Sequence, residues 1–427
     1  MTGKEIKELS LSYNLHSWSK QKGLDPIPVT GGEGIYYYDT EGNRYSDMSS
    51  QLVNLNVGHG CRPIIDAIKE QAEKYCFISP AMASEPRAVL AKMVIDRMPD
   101  NMGKVFFTNG GADANENAIK IARLYTGRKK IFSRYRSYHG STFGAGNLTG
   151  EPRRYPLEPG IPGFVKFFDP YIYRDNLPFA SEEEASAYYV RRLREQVIYE
   201  GADQVAAIVM ETVTGSNGVI IPPKGYLPGV RKICDEFEVM AGFCRTGKMF
   251  AFENFGVKPD IVSFAKGITS GYVQLGGVAV SKEIAAYFDD HVLQCGLTYS
   301  GHPLACAAGI ACLKFYDDEH ILEKMQVTGK LLGEILEDLK AKHPCVGDVR
   351  YIGLFSAIEL VKDKKTREPL VPYGSDPQGV MGGIIAALKA RRFMTYSHEN
   401  MVLITPEQLK EEMAKMDEVL SEVDAKL

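Results

Sequence analysis

Uninterrupted apolar runs constrain the fold of this 427-residue chain more than any other feature. They occupy residues 205–210 (VAAIVM), 261–265 (IVSFA) and 275–280 (LGGVAV), and residues 104–108 (KVFFT) form a further candidate strand. Continuous rather than alternating apolar residues indicate strands that are covered on both faces, as in a parallel sheet between helices. The sequence therefore predicts an α/β protein with a mainly parallel central sheet.

A different pattern begins in the C-terminal third. A helical stripe at 325–339 precedes two short predicted strands within 346–361. The stripe of the last predicted helix comprises Leu409, Met413, Met416, Leu420, Val423 and Leu427. We therefore expect an N-terminal segment, 1–60, that joins a small α+β domain, 306–427, and a large domain, 61–305, between them.

Charge and composition argue against several classes of protein. The net charge of −4 and the pI near 6.1 give no support to nucleic acid or an anionic membrane as a partner. No apolar stretch reaches the length of a membrane span and the polar N-terminus lacks a signal-peptide core, so we expect a cytoplasmic protein. None of the eight cysteines has zinc-ligand spacing, which predicts free thiols and no metal site.

Two charged residues end apolar runs. Glu211 follows 205–210 and Lys266 follows 261–265. The carboxyl ends of parallel strands face the ligand crevice, so both are candidate site residues. A partly desolvated lysine has a lowered pKa and attacks aldehydes. The alternatives are a buried ion pair for Glu211 and an ordinary solvent-facing lysine at 266.

Two turns complete the candidate site. After 104–108, the Gly110-Gly111 turn leads into a predicted helix whose free N–H groups suit a phosphate. At 137–142 (SYHGST), Tyr138 is followed closely by glycine, which lets a planar group approach; a surface turn with a packed tyrosine is the alternative. Pyridoxal 5′-phosphate (PLP) has a phosphate, a flat ring and an aldehyde, so it would use all four features.

Longer motifs carry a family resemblance over nearly the whole chain. Segments 106–123 (FFTNGGADANENAIKIAR), 137–142, 242–267 and 296–308 (GLTYSGHPLACAA) resemble class III, or ω-, aminotransferases of PLP fold type I. The segments TNGGADANE and EPGIPGFVKFFDPYIYR are most similar to the taurine– or β-alanine–pyruvate aminotransferases of this family.

The resemblance implies a homodimer with shared active sites and PLP as cofactor. Lys266 would bond covalently to PLP and carry the proton transfer, while Tyr138 would stack on the ring. Thr298 would reach the phosphate of the partner subunit's cofactor, and Trp18 would line the substrate pocket, with interface packing as its alternative. The full set of implied cofactor contacts is Gly111, Ala112, Tyr138, His139, Glu211, Asp235, Val239, Lys266 and Thr298.

One departure from the family concerns the carboxylate that holds the pyridine-nitrogen proton of PLP. In this family an aspartate ends an apolar strand, but here its place falls on Phe237 and the strand before it is missing. Asp235 lies two residues earlier and would share the required face of an extended segment, whereas the adjacent Glu238 would point away.

A second departure lies in 400–413, where an apolar stretch of the family is missing. The arginine that binds the substrate carboxylate is usually near this stretch, and Arg391 and Arg392 are candidates by proximity.

The leading interpretation is a PLP-dependent aminotransferase that moves an amino group from an ω-amine, such as taurine or β-alanine, to pyruvate or 2-oxoglutarate. A catalytically impaired dimeric relative, and other PLP chemistry such as a racemase, aminomutase or decarboxylase, are alternatives.

Overall fold

The computed structural model describes residues 1–175, 177–237, 240–242, 248–404 and 410–427. The helices are α1 (Gly3–Tyr13), α2 (Ser50–Val53), α3 (Arg62–Lys74), α4 (Glu85–Asp96), α5 (Gly111–Thr126), α6 (Phe143–Leu148), α7 (Glu182–Tyr199), α8 (Tyr226–Phe237), α9 (Lys282–Asp290), α10 (Pro303–Asp318), α11 (Ile321–Lys342), α12 (Val380–Ala390) and α13 (Lys410–Asp424). The strands are β1 (Val29–Glu33), β2 (Tyr36–Asp39), β3 (Arg44–Asp47), β4 (Met102–Thr108), β5 (Lys130–Arg134), β6 (Phe164–Phe167), β7 (Val205–Val209), β8 (Met240–Gly242), β9 (Ile261–Ala265), β10 (Gly276–Ser281), β11 (Val346–Ile352), β12 (Phe355–Asp363), β13 (Glu368–Pro369), β14 (Phe393–Met394), β15 (Tyr396–His398) and β16 (Met401–Ile404).

The predicted α/β core is confirmed by the central sheet, whose described strands run in the order β4-β10-β9-β8-β7-β5-β6. Neighbouring strands from β9 to β6 are parallel, but β10 is antiparallel to both β4 and β9. Every residue of β10 is buried. The continuous apolar pattern at 275–280 thus correctly indicated that both faces of this strand are covered. It carries no information on whether the strand is parallel or antiparallel to its neighbours.

Helices cover the sheet on both sides. On one side α5 packs Ala114, Ala118 and Ile121 against strand residues that include Ile131 and Val278. On the other side α3, α4 and α10 pack together, and the larger apolar core lies there. Burial of these faces from water is the main term that holds such layers together.

The C-terminal part has its own sheet and core. Strands β11, β12, β16 and β15 form an antiparallel sheet, and α11, α12 and α13 bury side chains such as Leu332, Leu336 and Leu420 with it. The predicted last helix is confirmed, although Leu427 lies beyond α13 and is 54% exposed, and Leu409 lies outside the described residues. Strand β14 pairs with β3, which ties the N-terminal segment to the C-terminal part of the chain.

The region of the first family departure differs from the prediction. Helix α8 continues through Phe237, and the short strand β8 then takes the place between β7 and β9. Strand β8 pairs with residues 207–209 of β7, and Gly242 pairs with Ile261 of β9. The prediction that this strand is missing was therefore wrong in part, because three residues suffice to fill its place in the ladder.

Candidate active site

The carboxyl ends of the central strands open into a cavity of about 1080 Å³. The cavity brings together most of the residues that the sequence proposed for the site, although they are far apart in the chain. The predicted site residues that line it are Trp18, Gly111, Ala112, Tyr138, His139, Glu211 and Lys266.

Lys266 reaches the cavity because β9 ends in a tight turn. Its backbone has φ of 56°, in the left-handed region, and begins a single 3-10 turn, Lys266–Ile268. A non-glycine residue in this region costs about 1–2 kcal/mol, and the Tyr316 hydroxyl helps to hold the turn by donating to Gly267 O at 2.7 Å. The strained turn directs the chain out of the sheet where Lys266 lines the cavity.

Helix α5 points its N-terminus at the same cavity. Its N-cap residue is Gly110, which provides no side-chain cap, and Gly111 and Ala112 line the cavity wall. The first N–H groups of a helix have no partner within the helix, and the helix dipole favours an anion there. An uncapped helix start in a cavity is therefore suited to a phosphate.

Glu211 lies two residues beyond the end of β7 and is held by backbone groups. Its carboxylate accepts hydrogen bonds from the N–H of Tyr138, at 3.2 Å, and from the N–H of Gly215. Burial raises the pKa of Glu211, and Arg134, these two N–H groups and Lys266 oppose that shift without cancelling it. The site therefore combines a carboxyl group of raised pKa with a nearby lysine.

His139 is a buried neutral imidazole. Burial and the neighbouring Lys166 and Arg134 lower its pKa to about 3. Its Nε2 atom is buried and makes no hydrogen bond within the described residues. Buried polar atoms are rarely left unpaired, and this one has no accessible surface through which a ligand in the cavity could reach it.

Other predicted residues lie elsewhere. Asp235 is on α8, where its side chain is 64% exposed and pairs with Arg231 at 2.8 Å. The prediction for Asp235 was wrong, because this segment is helical rather than extended. Thr298 is exposed and lies outside the described lining of its own chain's cavity. The predictions for Glu238 and Val239 fall outside the described residues.

The prediction that Arg391 or Arg392 binds the substrate carboxylate was also wrong. Arg391 pairs with Glu418 and Glu422 of α13, at 3.0 and 2.6 Å, and Arg392 donates to the side chain of Asn43. Neither is among the described residues that line the cavity. Arg391 thus links the end of α12 to α13, and Arg392 links its segment to the residue before β3.

Arg153, a cation of the cavity wall, has no local sequence pattern that marks it as a site residue. Its guanidinium carbon lies 3.8 Å from the ring centroid of Tyr138 and 5.4 Å from that of Trp18. Nε pairs with Glu151, and Nη2 donates to Ser216 Oγ at 2.9 Å. Within the described ranges, Nη1 donates no hydrogen bond, so it can bind an anionic ligand. Trp18 meets Tyr138 edge to face, at 6.1 Å between ring centroids.

Comparison with known proteins identifies the family. The family model described as Aminotransferase class-III matches residues 18–420. The chain belongs to the class III aminotransferases. It is 32% identical to the taurine–pyruvate aminotransferase of Bilophila wadsworthia, over 98% of this chain and 96% of that protein.

Solved structures agree with this assignment. The taurine:2-oxoglutarate aminotransferase from Bifidobacterium kashiwanohense, solved in complex with PLP and glutamate, has a TM-score of 0.97 and 50% identity, over 100% of this chain and 99% of that one. An (S)-enantioselective ω-transaminase from Thermomicrobium roseum has a TM-score of 0.92 and 35% identity, over 99% and 98% of the two chains. This class III aminotransferase is a PLP-dependent enzyme with the fold type I architecture.

The cavity fits PLP on the geometry of its own residues. The uncapped start of α5 suits the phosphate, Tyr138 offers an aromatic surface, and Lys266 provides the amine for the aldehyde. Within the described ranges, no helix has the length and hydropathy that crossing a membrane requires.

Proposed function

We propose that this aminotransferase moves the amino group of an ω-amine such as taurine to 2-oxoglutarate or a similar 2-oxo dicarboxylic acid. The observation that carries the proposal is Arg153, a cavity cation beside Tyr138 with one nitrogen still able to donate. A cation in this place suits the second carboxylate of a dicarboxylic acceptor and equally the sulfonate of taurine, since both are anions at the far end of the substrate.

The names of the relatives support both substrates. The structure at 50% identity is described as a taurine:2-oxoglutarate aminotransferase in complex with glutamate, whereas the relative at 32% identity is described as a taurine–pyruvate aminotransferase. The higher identity and the cavity arginine together favour 2-oxoglutarate over pyruvate.

The proposed roles follow from position. Gly111 and Ala112 hold the phosphate through backbone N–H groups, and Tyr138 packs on the ring. When bound, PLP supplies the aldehyde for the amine and a ring that withdraws electrons from the reacting carbon. Lys266 Nζ holds the cofactor between reactions and transfers the proton at the reacting carbon.

We also propose a homodimer. Thr298 is exposed and is not among the described residues that line the cavity. Trp18 lines the cavity and is 64% exposed. A second copy would complete the site by bringing its Thr298 to the phosphate of the first. Sedimentation of the purified chain as a monomer with full activity would contradict this arrangement.

The decisive experiment mixes purified protein and PLP with taurine and either 2-oxoglutarate or pyruvate. Formation of glutamate, with kcat/KM at least tenfold above that for alanine formation from pyruvate, is the expected result. Faster formation of alanine would overturn the acceptor, and no product from taurine would overturn the donor. A protein that stays colourless in excess PLP would support the catalytically impaired alternative.

A further inference from the structure

Arg153 donates a hydrogen bond to a loop that is itself contacted by the C-terminal part of the chain. Ser216, which accepts a hydrogen bond from Arg153, belongs to a four-residue segment, 215–218 (GSNG), called the 215–218 loop below. The loop follows Glu211, and its first N–H, that of Gly215, donates to the Glu211 carboxylate. One short loop therefore touches both the candidate substrate cation and the carboxylate at the end of β7.

The far end of this loop is bound by Arg350 of β11. Arg350 Nε donates to Gly218 O at 2.8 Å, and Nη1 pairs with Glu359 at 2.6 Å and with Asp348 at 2.8 Å. The Arg350 side chain is only 10% exposed and Glu359 only 1%. A buried guanidinium that is fixed by two carboxylates has little freedom to move, so the carbonyl it binds is fixed as well.

The packing of Gly218 shows how tight this junction is. Gly218 has φ of +98°, and a Cβ added there would lie 2.0 Å from the sulfur of Met401 and 3.2 Å from Arg350 Nη2. The loop thus approaches β11 and β16 with a backbone conformation at Gly218 that favours glycine.

We infer that Arg350 is a positioning residue that fixes the 215–218 loop and thereby the orientation of Arg153 toward the anionic end of the substrate. The inference rests on the proposed function. Arg350 does not line the described cavity and so acts through Gly218, Ser216 and Arg153 rather than by contact. Its loss therefore weakens the binding of doubly charged acceptors while it leaves the attachment of the cofactor to Lys266 intact.

Arg350→Lys is the main variant. Lysine keeps the charge beside Glu359, but a single ammonium cannot reproduce the planar fork that spans two carboxylates and the Gly218 carbonyl. The matched control is Arg174→Lys. Arg174 Nε donates to the same Glu359 at 2.5 Å, but no contact joins Arg174 to the 215–218 loop within the described residues. A general effect of disturbing Glu359 would appear in both variants.

The assay measures the binding of glutarate, a dicarboxylate without a reactive carbonyl, to the PLP-loaded enzyme by calorimetry. We expect Arg350→Lys and Ser216→Ala each to weaken glutarate binding by about 3- to 10-fold, and the double variant to be no weaker than the worse single one. The visible absorbance of the lysine-bound cofactor should be unchanged in all of them.

The outcomes separate the two proposals. If the unaltered enzyme does not bind glutarate, both the dicarboxylic acceptor and the positioning role are wrong. If it binds glutarate but Arg174→Lys weakens binding as much as Arg350→Lys, or the two single effects add in full, only the positioning role is wrong. Loss of cofactor absorbance in Arg350→Lys would likewise place its effect elsewhere.

Discussion

Replacing Arg153 with methionine is the most direct test of substrate recognition in this enzyme. Methionine approximates the length of the aliphatic stem and removes the charge and all N–H groups. We expect a selective fall in kcat/KM for 2-oxoglutarate, because only a dicarboxylic acceptor places a second carboxylate beside Tyr138 and Trp18, and kcat/KM for the acceptor does not include the binding of taurine in the other half-reaction. Pyruvate has no such group and should be affected little.

The size of the effect follows from the setting of Arg153. A hydrogen bond to a charged group contributes about 1.5–3 kcal/mol. The Arg153 side chain is 26% exposed, so solvent screening favours the lower end. A loss of about 1.5 kcal/mol corresponds to a roughly tenfold fall in kcat/KM. The change for pyruvate should stay within about twofold, and Arg153→Lys, which retains a point charge, should fall between these values.

The adjacent arginine provides the control. Arg154 donates to Glu158 at 3.0 Å and to Gly150 O, and it is not among the described residues that line the cavity. Steady-state kinetics of Arg154→Met should match the unaltered enzyme with both acceptors. Because Arg153→Met also deprives the buried Glu151 of its partner, thermal unfolding should be recorded alongside. Equal losses for 2-oxoglutarate and pyruvate in Arg153→Met would refute the assigned role.

Three further changes test the site and the C-terminal part. Lys266→Ala should retain the fold and lose the visible absorbance of lysine-bound PLP; absorbance that survives and can be fixed with borohydride would mean another amine holds the cofactor. Burial raises the pKa of Asp424, but hydrogen bonds from Cys345 and His343 outweigh it and leave the pKa lowered. Stability from Asp424 is thus present above its unfolded pKa of about 4 and lost as the pH falls through the lower folded pKa. In urea unfolding, Asp424→Asn should cost about 1–2 kcal/mol at pH 7 and less near pH 3, and an equal cost at both would contradict the assignment. Leu336→Ala, at a fully buried position, should lower the free energy of unfolding by about 2–5 kcal/mol, and a loss under 1 kcal/mol would mean that the core around α11 collapses onto the gap.

The sequence predicted the part of the site that the strands position. The run 261–265 matches β9 residue for residue, because Asp260 and Lys266 bound it on either side. Glu211 and Lys266 follow two strands of one sheet, so sheet geometry alone brings them to the same edge. Both residues line the cavity, so the two strand ends found in the sequence lie at one place in the fold.

Arg153 could not be found in this way. It lies in a short 3-10 helix, Pro152–Leu157, and its position depends on Glu151 and on Ser216, which is 63 residues further along the chain. The error at Asp235 was avoidable, since Arg231 and Asp235 are four residues apart, the spacing at which opposite charges pair on a helix. That spacing indicated that the helix continues where an extended segment was expected.

The described residues of β8 limit where a carboxylate for the cofactor ring can come from. Its residues, Met240–Gly242, have no ionisable side chain, so this strand cannot provide the group. Four carboxylates line the described cavity, and each already has a partner: Glu151 pairs with Arg153, Glu399 pairs with Arg136 at 2.9 Å, Asp376 caps the start of α12 through Val380 N at 2.8 Å, and the fourth accepts from the backbone N–H groups of Tyr138 and Gly215. Glu211 is the fourth. It lies two residues beyond β7, the strand next to β8; burial raises its pKa, and Lys266 is one of the groups that oppose this rise. Among the described carboxylates we therefore propose Glu211, which follows β7, as the one that takes the place of the family's aspartate.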